Sequence, residues 1–382
     1  MKIALYYPWV YLKGGPERTI LEMRRRSRHE WTVFTSHYDR AGTFPEFAQI
    51  GVVELPRVSV KRRYGTVLRA AARIAATKID LTGFDALVVC CDGLGSLLNF
   101  RNAEKPIACL CFTPLRAVYD EEYRARHLDT NQPLRPLALA LERAWVQLDR
   151  WAWRRYERVF CISQTVKDRV LRGNLCDESV IGIAYPGIDE NSIAPSPIHE
   201  RFLFLPGRIM WTKNIELGIE AFLGSTSARE RGFRLVIAGM VDEKSQPYFA
   251  KLRELVAGRS EIEFIRDPSD EQMKDLYRRC YATLFTAFNE DWGLTPLEAM
   301  AHGKPVIAVK RGGPTETIVH GATGLLAEPE VGAFRQAIDA LVEQPELVQT
   351  MGRQAAEHVQ RFTWRSFTEQ IDAHFDQLGS SR

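Results

Sequence analysis

The chain has 382 residues, 45% of them apolar and 26% charged, with a formal net charge of +3. That length exceeds one ordinary domain and predicts two, and the near-neutral balance argues against a dedicated nucleic-acid binder. The charge is uneven, however: residues 1–195 carry 29 Lys+Arg against 22 Asp+Glu, and the remainder 22 against 26.

The opening MKIALYYPWVYLKGG is apolar, but Pro8 and the Gly14–Gly15 pair interrupt it and no small-residue cleavage site follows, so a signal peptide is not expected. Short β-branched runs then alternate with longer amphipathic segments. In the first half the strand candidates are KIALYY, WTVFTS, VVELP, ALVVCC, IACLCF, RVFCIS and SVIGIAY; helical patterns include PERTILEMRRR and the long PLALALERAWVQLDRWAWRRYER. The segment at 185–200, rich in Pro and polar residues and without a period, reads as a linker. The alternation restarts with RFLFLPG and continues through FRLVIAG, IEFIRD, YATLFTA and KPVIAVK. Continuous apolar strands alternating with helices imply parallel sheets covered on both faces. The expected class is therefore α/β, with two Rossmann-like, doubly wound parallel-sheet domains facing a cleft.

No run of about 18 apolar residues occurs, so no spanning helix is expected. Five of the seven cysteines (Cys90, Cys91, Cys109, Cys111, Cys161) fall in strand-like runs with spacings that match no zinc site, which suits buried, reduced thiols in a cytoplasmic protein. Basic residues gather at 24–28, at Lys61, Arg62 and Arg63, and in RWAWRRYER from Arg150 to Arg158. Such runs suit solvated helix faces. Trp and Arg together also suit an anionic acceptor or a membrane headgroup layer.

Ligands of doubly wound sheets bind beyond the carboxyl ends of the strands, so the loops there matter most. After the first strand, Gly14 and Gly15 allow close backbone approach and Pro16 fits a first helical turn, as a ligand loop or a plain turn. Gly93 and Gly95 begin a dinucleotide fingerprint, but Leu98 holds the third glycine position, which argues against an NAD enzyme. After RFLFLPG, Arg208 and Lys213 precede a helix; a guanidinium, an ammonium and helix N–H groups suit a diphosphate. Glu290 falls in the loop after YATLFTA. Thr295, Pro296 and Glu298 read as N-cap, N1 and N3 of a capping box, which gives Glu298 a structural explanation that Glu290 lacks. Gly312 and Gly313 then offer backbone N–H groups on the same rim. Together these loops favour a polyol attached to a diphosphate.

The run from Glu290 through DWGLTPL to Glu298, followed by AMAHGKPVIAVKRGG and GATGLL, resembles retaining glycosyltransferases of family 4, with their E-x7-E signature and the GT-B fold. GRIMWTK, KGGPER, FCISQTVKD and the TP-x-R-x-x-x-D stretch in CFTPLRAVYD extend the resemblance over most of the chain, the last being similar to mannosyltransferase-like members of surface-polysaccharide assembly. The resemblance implies an acceptor-side domain at 1–190, a nucleotide-sugar domain at 191–361 and a C-terminal helix at 362–382 crossing back. It implies that Arg208 and Lys213 hold the donor diphosphate as catalytic residues, and that Glu290 contacts the transferred sugar. Glu298 would reach the ribose, and Gly293, Leu294 and Thr295 would line the phosphates, with Asp291 and Trp292 in the same loop. Gly14 and Gly15 would lie near the donor phosphate, Gly312 and Gly313 on the rim, and Arg266 in the base-contacting segment FIRDPSD. Relatives often carry a His where this chain has Phe112, so the donor sugar is expected to lack a 6-hydroxyl, or acceptor contacts to be rearranged.

The implied reaction moves a sugar from a nucleotide-diphosphate donor, GDP-mannose-like, to a glycan, lipid-linked or small-molecule acceptor. No D-x-D triad is present, so neither a metal nor any other cofactor is expected. The expected location is the cytoplasm, with peripheral contact at the inner membrane face through the basic first domain as an extension. The alternatives are a transferase acting on a soluble natural product, a GT-B epimerase or phosphorylase, and a nucleotide-sugar-binding protein.

Overall fold

In the computed structural model the chain divides into two compact units, Met1–Pro186 together with Trp364–Arg382, and Gly187–Thr363. The structure describes residues 1–61, 64–127 and 135–380; Arg62 and Arg63 of the second basic run lie outside the described residues.

The first unit carries a seven-stranded sheet of β1 (Lys2–Tyr6), β2 (Glu30–Thr35), β3 (Val52–Glu54), β4 (Ala86–Gly93), β5 (Ile107–Pro114), β6 (Arg158–Cys161) and β7 (Ile181–Ile183). Its order is β3-β2-β1-β4-β5-β6-β7, with every pairing parallel. The second carries β8 (Phe202–Pro206), β9 (Arg234–Gly239), β10 (Ile262–Arg266), β11 (Ala282–Phe285), β12 (Val306–Val309) and β13 (Gly324–Ala327), in the order β10-β9-β8-β11-β12-β13, again all parallel.

The twelve apolar runs read as strands are strands. β13 stands outside the predicted runs, because GLLA begins on glycine and holds no β-branched residue; pairing with β12 is what makes it a strand. The long basic helix spans Arg135–Trp153 and ends short of its predicted limit at Arg158. There the buried Trp153 and Tyr156 rings pack edge to face at 5.4 Å and the chain turns into β6. Central strands such as β5, β8, β11 and β12 are buried on both faces, which explains their continuous apolar composition. No described helix is long and apolar enough to cross a membrane. All seven thiols are free and six are buried.

Two of the buried carboxyls in the first unit are pushed toward the neutral acid. Burial pushes Glu17, on the helix Gly15–Arg26, up to about 7, although Leu12 N–H donates to its Oε1 at 3.4 Å. Burial also pushes Asp149 up to about 8; Tyr119 and Trp153 lie beside it, but neither carboxylate oxygen closes a hydrogen bond among the described residues. A raised folded-state pKa means that the native state binds more protons than the unfolded chain between the two values. Stability therefore falls as pH rises through that window. Glu17→Gln removes its share of the slope between about pH 4.5 and 7. The variant is expected to match the wild type near pH 4 and to exceed it above pH 7, by up to about 3 kcal/mol; denaturant midpoints across pH test this, and parallel curves would refute it.

Candidate functional site

In the second unit β8 and β11 are neighbours, and the chain leaves them toward opposite edges of the sheet. This is the switch point at which a doubly wound sheet opens a crevice beyond its strand ends. Arg208, Lys213 and Glu290 all lie in the loops that leave these two strands.

Three bonds tie those loops together. Phe288 N–H donates to Thr212 O at 3.0 Å, Thr286 Oγ1 donates to Lys213 O at 2.7 Å, and Lys213 Nζ donates to Glu290 Oε2 at 2.6 Å. Both partners of the ion pair are mostly shielded, with side-chain exposures of 19% and 29%, so it is less screened than a surface pair. Lys213 also lies 5.5 Å from the centre of the Phe285 ring. Arg208 is half-buried in the same turn, and no carboxylate pairs with it among the described residues. Asn214, at φ +48°, then starts the helix Ile215–Gly224.

A third loop completes the rim, but not as expected. Gly313 N–H is not offered outward; it donates to Glu290 O at 2.8 Å. The glycine pair is required by close approach. A Cβ on Gly313 would meet Trp292 O at 2.1 Å, and one on Gly312, whose φ is +65°, would meet Glu290 O at 2.3 Å. The pair therefore clamps the backbone that carries Glu290.

The capping box is a second correction. The helix Leu294–Ala301 has Gly293 as its N-cap and no side-chain capping bond. Thr295 lies one residue inside it, because the left-handed turn at Gly293 (φ +91°) starts the helix early. Glu298, on its second turn, instead accepts a 2.9 Å hydrogen bond from the buried Tyr277 hydroxyl. Burial and the Glu298 carboxylate both raise the Tyr277 pKa, which keeps that donor protonated. Tyr277 stacks on His302 at 5.6 Å. Nothing in DEQMKDLYRR marks Tyr277 as special; only the fold brings it to Glu298.

Asp291, Gly293, Leu294 and Thr295 are half-buried around Glu290 in sequence. Trp292 is buried with its ring edge-on to Phe362 at 5.5 Å, so it packs the unit rather than facing a ligand. Arg266 ends β10, separated from β11 by β9 and β8, and its guanidinium lies over Phe249 at 5.4 Å.

The first unit gathers its own rim where β1, β4 and β5 end. Phe112 is 5% exposed and edge-on to Tyr7 at 6.1 Å; Tyr7 Oη lies 3.5 Å from Asp92 Oδ2. A Cβ on Gly14 would meet only side-chain atoms, the end of Glu17 at 2.7 Å first, and one on Gly15 would meet nothing within 4 Å, so packing requires neither glycine. Gly95 is accounted for by packing, since a Cβ there would meet the backbone Cys90 O at 2.3 Å. The TP-x-R-x-x-x-D stretch forms one network. Arg169 donates to Thr113 Oγ1 at 2.8 Å and to Asp120 Oδ2 at 3.2 Å, and Arg116 Nε donates to the same oxygen at 2.8 Å. Burial raises the Asp120 carboxyl, but the two guanidiniums outweigh it and hold it below the usual range. Among the described residues, no three His, Cys, Asp or Glu side chains are grouped to hold a metal ion.

Because the atoms facing Gly313 are backbone, Gly313→Ala has no flexible neighbour to displace. It is expected to cost about 1–3 kcal/mol, as overpacking does, while the same change at Gly15 costs little. Urea midpoints of the two variants measure the contrast; equal losses would refute the clamp.

Residues 189–358 match the glycosyl transferases group 1 family. Human alpha-1,3/1,6-mannosyltransferase ALG2 is 33% identical over 217 residues, covering 51% of this chain and 52% of that protein. The chain thus spans about half the length of the curated relatives it matches. Among solved structures, Anabaena HepE in complex with UDP and glucose superposes with a TM-score of 0.74 at 19% identity, over 99% of this chain and all of that one. Sucrose-phosphate synthase from Thermosynechococcus elongatus gives 0.77 at 18% identity, over the full length of both. These likenesses establish the GT-B type of fold, and residues 189–358 carry the similarity to the glycosyl transferases group 1 family.

Proposed function

We propose that the chain is a retaining glycosyltransferase that moves a sugar from a nucleoside-diphosphate donor to an acceptor hydroxyl. The observation that carries this reading is the half-buried Arg208, unneutralised by any described carboxylate, beside the Lys213–Glu290 pair at the β8/β11 switch point. A lysine ammonium has three N–H donors; one serves Glu290, which leaves two for a phosphate oxygen. Arg208 grips a second oxygen, and the N-terminus of Ile215–Gly224 adds its dipole.

The bond from the anomeric carbon to the diphosphate oxygen breaks, and its electron pair leaves with the diphosphate. The acceptor oxygen attacks the same face, and its proton passes to a departing phosphate oxygen. Arg208 and Lys213 stabilise the charge that develops on the leaving group. Glu290 orients the sugar and faces its developing positive charge. Glu298, aimed by Tyr277, takes the ribose hydroxyls. The similarity to an alpha-1,3/1,6-mannosyltransferase supports mannose as the sugar moved; a GDP-mannose-like donor and a glycan or lipid-linked acceptor complete the reading. A second version of the donor keeps the expectation drawn from Phe112 in the sequence, that the sugar lacks a 6-hydroxyl and is a pentose or 6-deoxyhexose.

Melting curves with UDP, GDP, dTDP and ADP come first. A nucleotide at 100 times its dissociation constant adds about 2.7 kcal/mol, and the expected result is one base standing out. No shift with any of the four sinks the reading. Transfer assays with GDP-mannose and a GDP-linked 6-deoxyhexose then decide between the two donor versions.

Arg208→Ala and Lys213→Ala are each expected to lower kcat by about 100-fold or more, as removal of an electrostatic donor does. A near-wild-type rate for Arg208→Ala would refute the diphosphate assignment.

A further inference from the structure

Nine large apolar side chains are exposed among the described residues, and four of them (Leu139, Leu141, Leu148 and Trp151, at 38–51%) share the helix Arg135–Trp153 of the first unit. Leu141, Ala144, Leu148 and Trp151 follow at i, i+3, i+7 and i+10, so they form one stripe along the helix. The residues that pack this helix inward, Asp149, Ala152 and Trp153, lie on a different face and are buried. Most of the stripe is therefore left uncovered by the rest of the unit.

Its surroundings are cationic. Arg143 and Arg154 are exposed along one side, and the Arg155 guanidinium lies 4.7 Å from the centre of the Trp151 ring. Trp151 also stacks on Phe100 at 4.4 Å, which fixes its orientation, and Arg101 next to Phe100 is exposed. The helix contains two acids, and neither cancels this charge: Glu142 pairs with Arg124 at 2.7 Å, and Asp149 is buried. Apolar side chains and an amphipathic Trp flanked by arginines match the acyl–headgroup boundary of an anionic leaflet. A second copy of the chain fits less well, because a two-fold axis on the stripe would set these arginines against one another.

We propose that the exposed face of Arg135–Trp153 lies in the surface plane of an anionic bilayer and holds the first unit there. This contact is independent of the transfer chemistry: none of its residues belongs to the Arg208, Lys213 and Glu290 cluster.

Flotation with vesicles of phosphatidylcholine alone, or of phosphatidylcholine with phosphatidylglycerol, tests the assignment. The protein is expected to float with the anionic vesicles at low ionic strength and to be released by salt. Leu148→Ser/Trp151→Ser is expected to lower the bound fraction about tenfold, and Arg154→Gln/Arg155→Gln to weaken both the binding and its salt dependence. Unchanged melting curves and nucleotide shifts would show that these variants remain folded. Three results would overturn the proposal: no flotation of the wild type at low salt, flotation of both variants like the wild type, or a wild-type dimer that Leu148→Ser/Trp151→Ser converts to monomer.

Discussion

Lys213 and Glu290 meet at 2.6 Å across two loops that leave adjacent parallel strands, and most of the second unit's rim depends on that meeting. Glu290 can hold its place because its own carbonyl accepts the Gly313 N–H and because Gly312 and Gly313 present no side chain to the backbone of residues 289–292. The ammonium is held in turn by the Thr286 hydroxyl on the Lys213 carbonyl and by the Phe288–Thr212 bond. Two charges held on tethered backbone lose little freedom when a ligand arrives, which is the condition for electrostatic preorganisation.

The first unit handles charge differently. It buries Asp120 between two guanidiniums, and this pairing holds the carboxyl ionised. Elsewhere it buries Glu17 and Asp149, and desolvation drives both toward the neutral acid. Asp120 with Arg169 and Arg116 thus braces the end of β5, whereas the other two make the unit's stability fall as pH rises. One fold places both kinds of carboxyl within a few elements of each other, and only the partners distinguish them.

Most of the architecture was legible in the chain. A strand buried on both faces must be apolar throughout, so the central strands could be read from composition, whereas β13 begins on glycine and leaves its two leucines half-buried. Arg208, Lys213, Glu290 and Glu298 were legible as residue types at strand ends. The start of the Leu294–Ala301 helix was not, because a left-handed turn at Gly293 outcompetes the capping box that Thr295 and Glu298 spell out. Trp292 looked like a ligand contact from its neighbours, yet its ring packs on Phe362.

The sequence by itself determined the parallel α/β class, the strand-end positions of the basic and acidic site residues, and an arginine–tryptophan surface on the long helix. These are local properties, set by periodicity and residue type. Tertiary structure alone decided that Tyr277 aims Glu298, that Gly313 serves Glu290 rather than a ligand, and that Arg169 joins Thr113 to Asp120. Each of those contacts joins residues 21 to 56 positions apart through crossover connections, and no local pattern encodes which side chains such a crossover brings together.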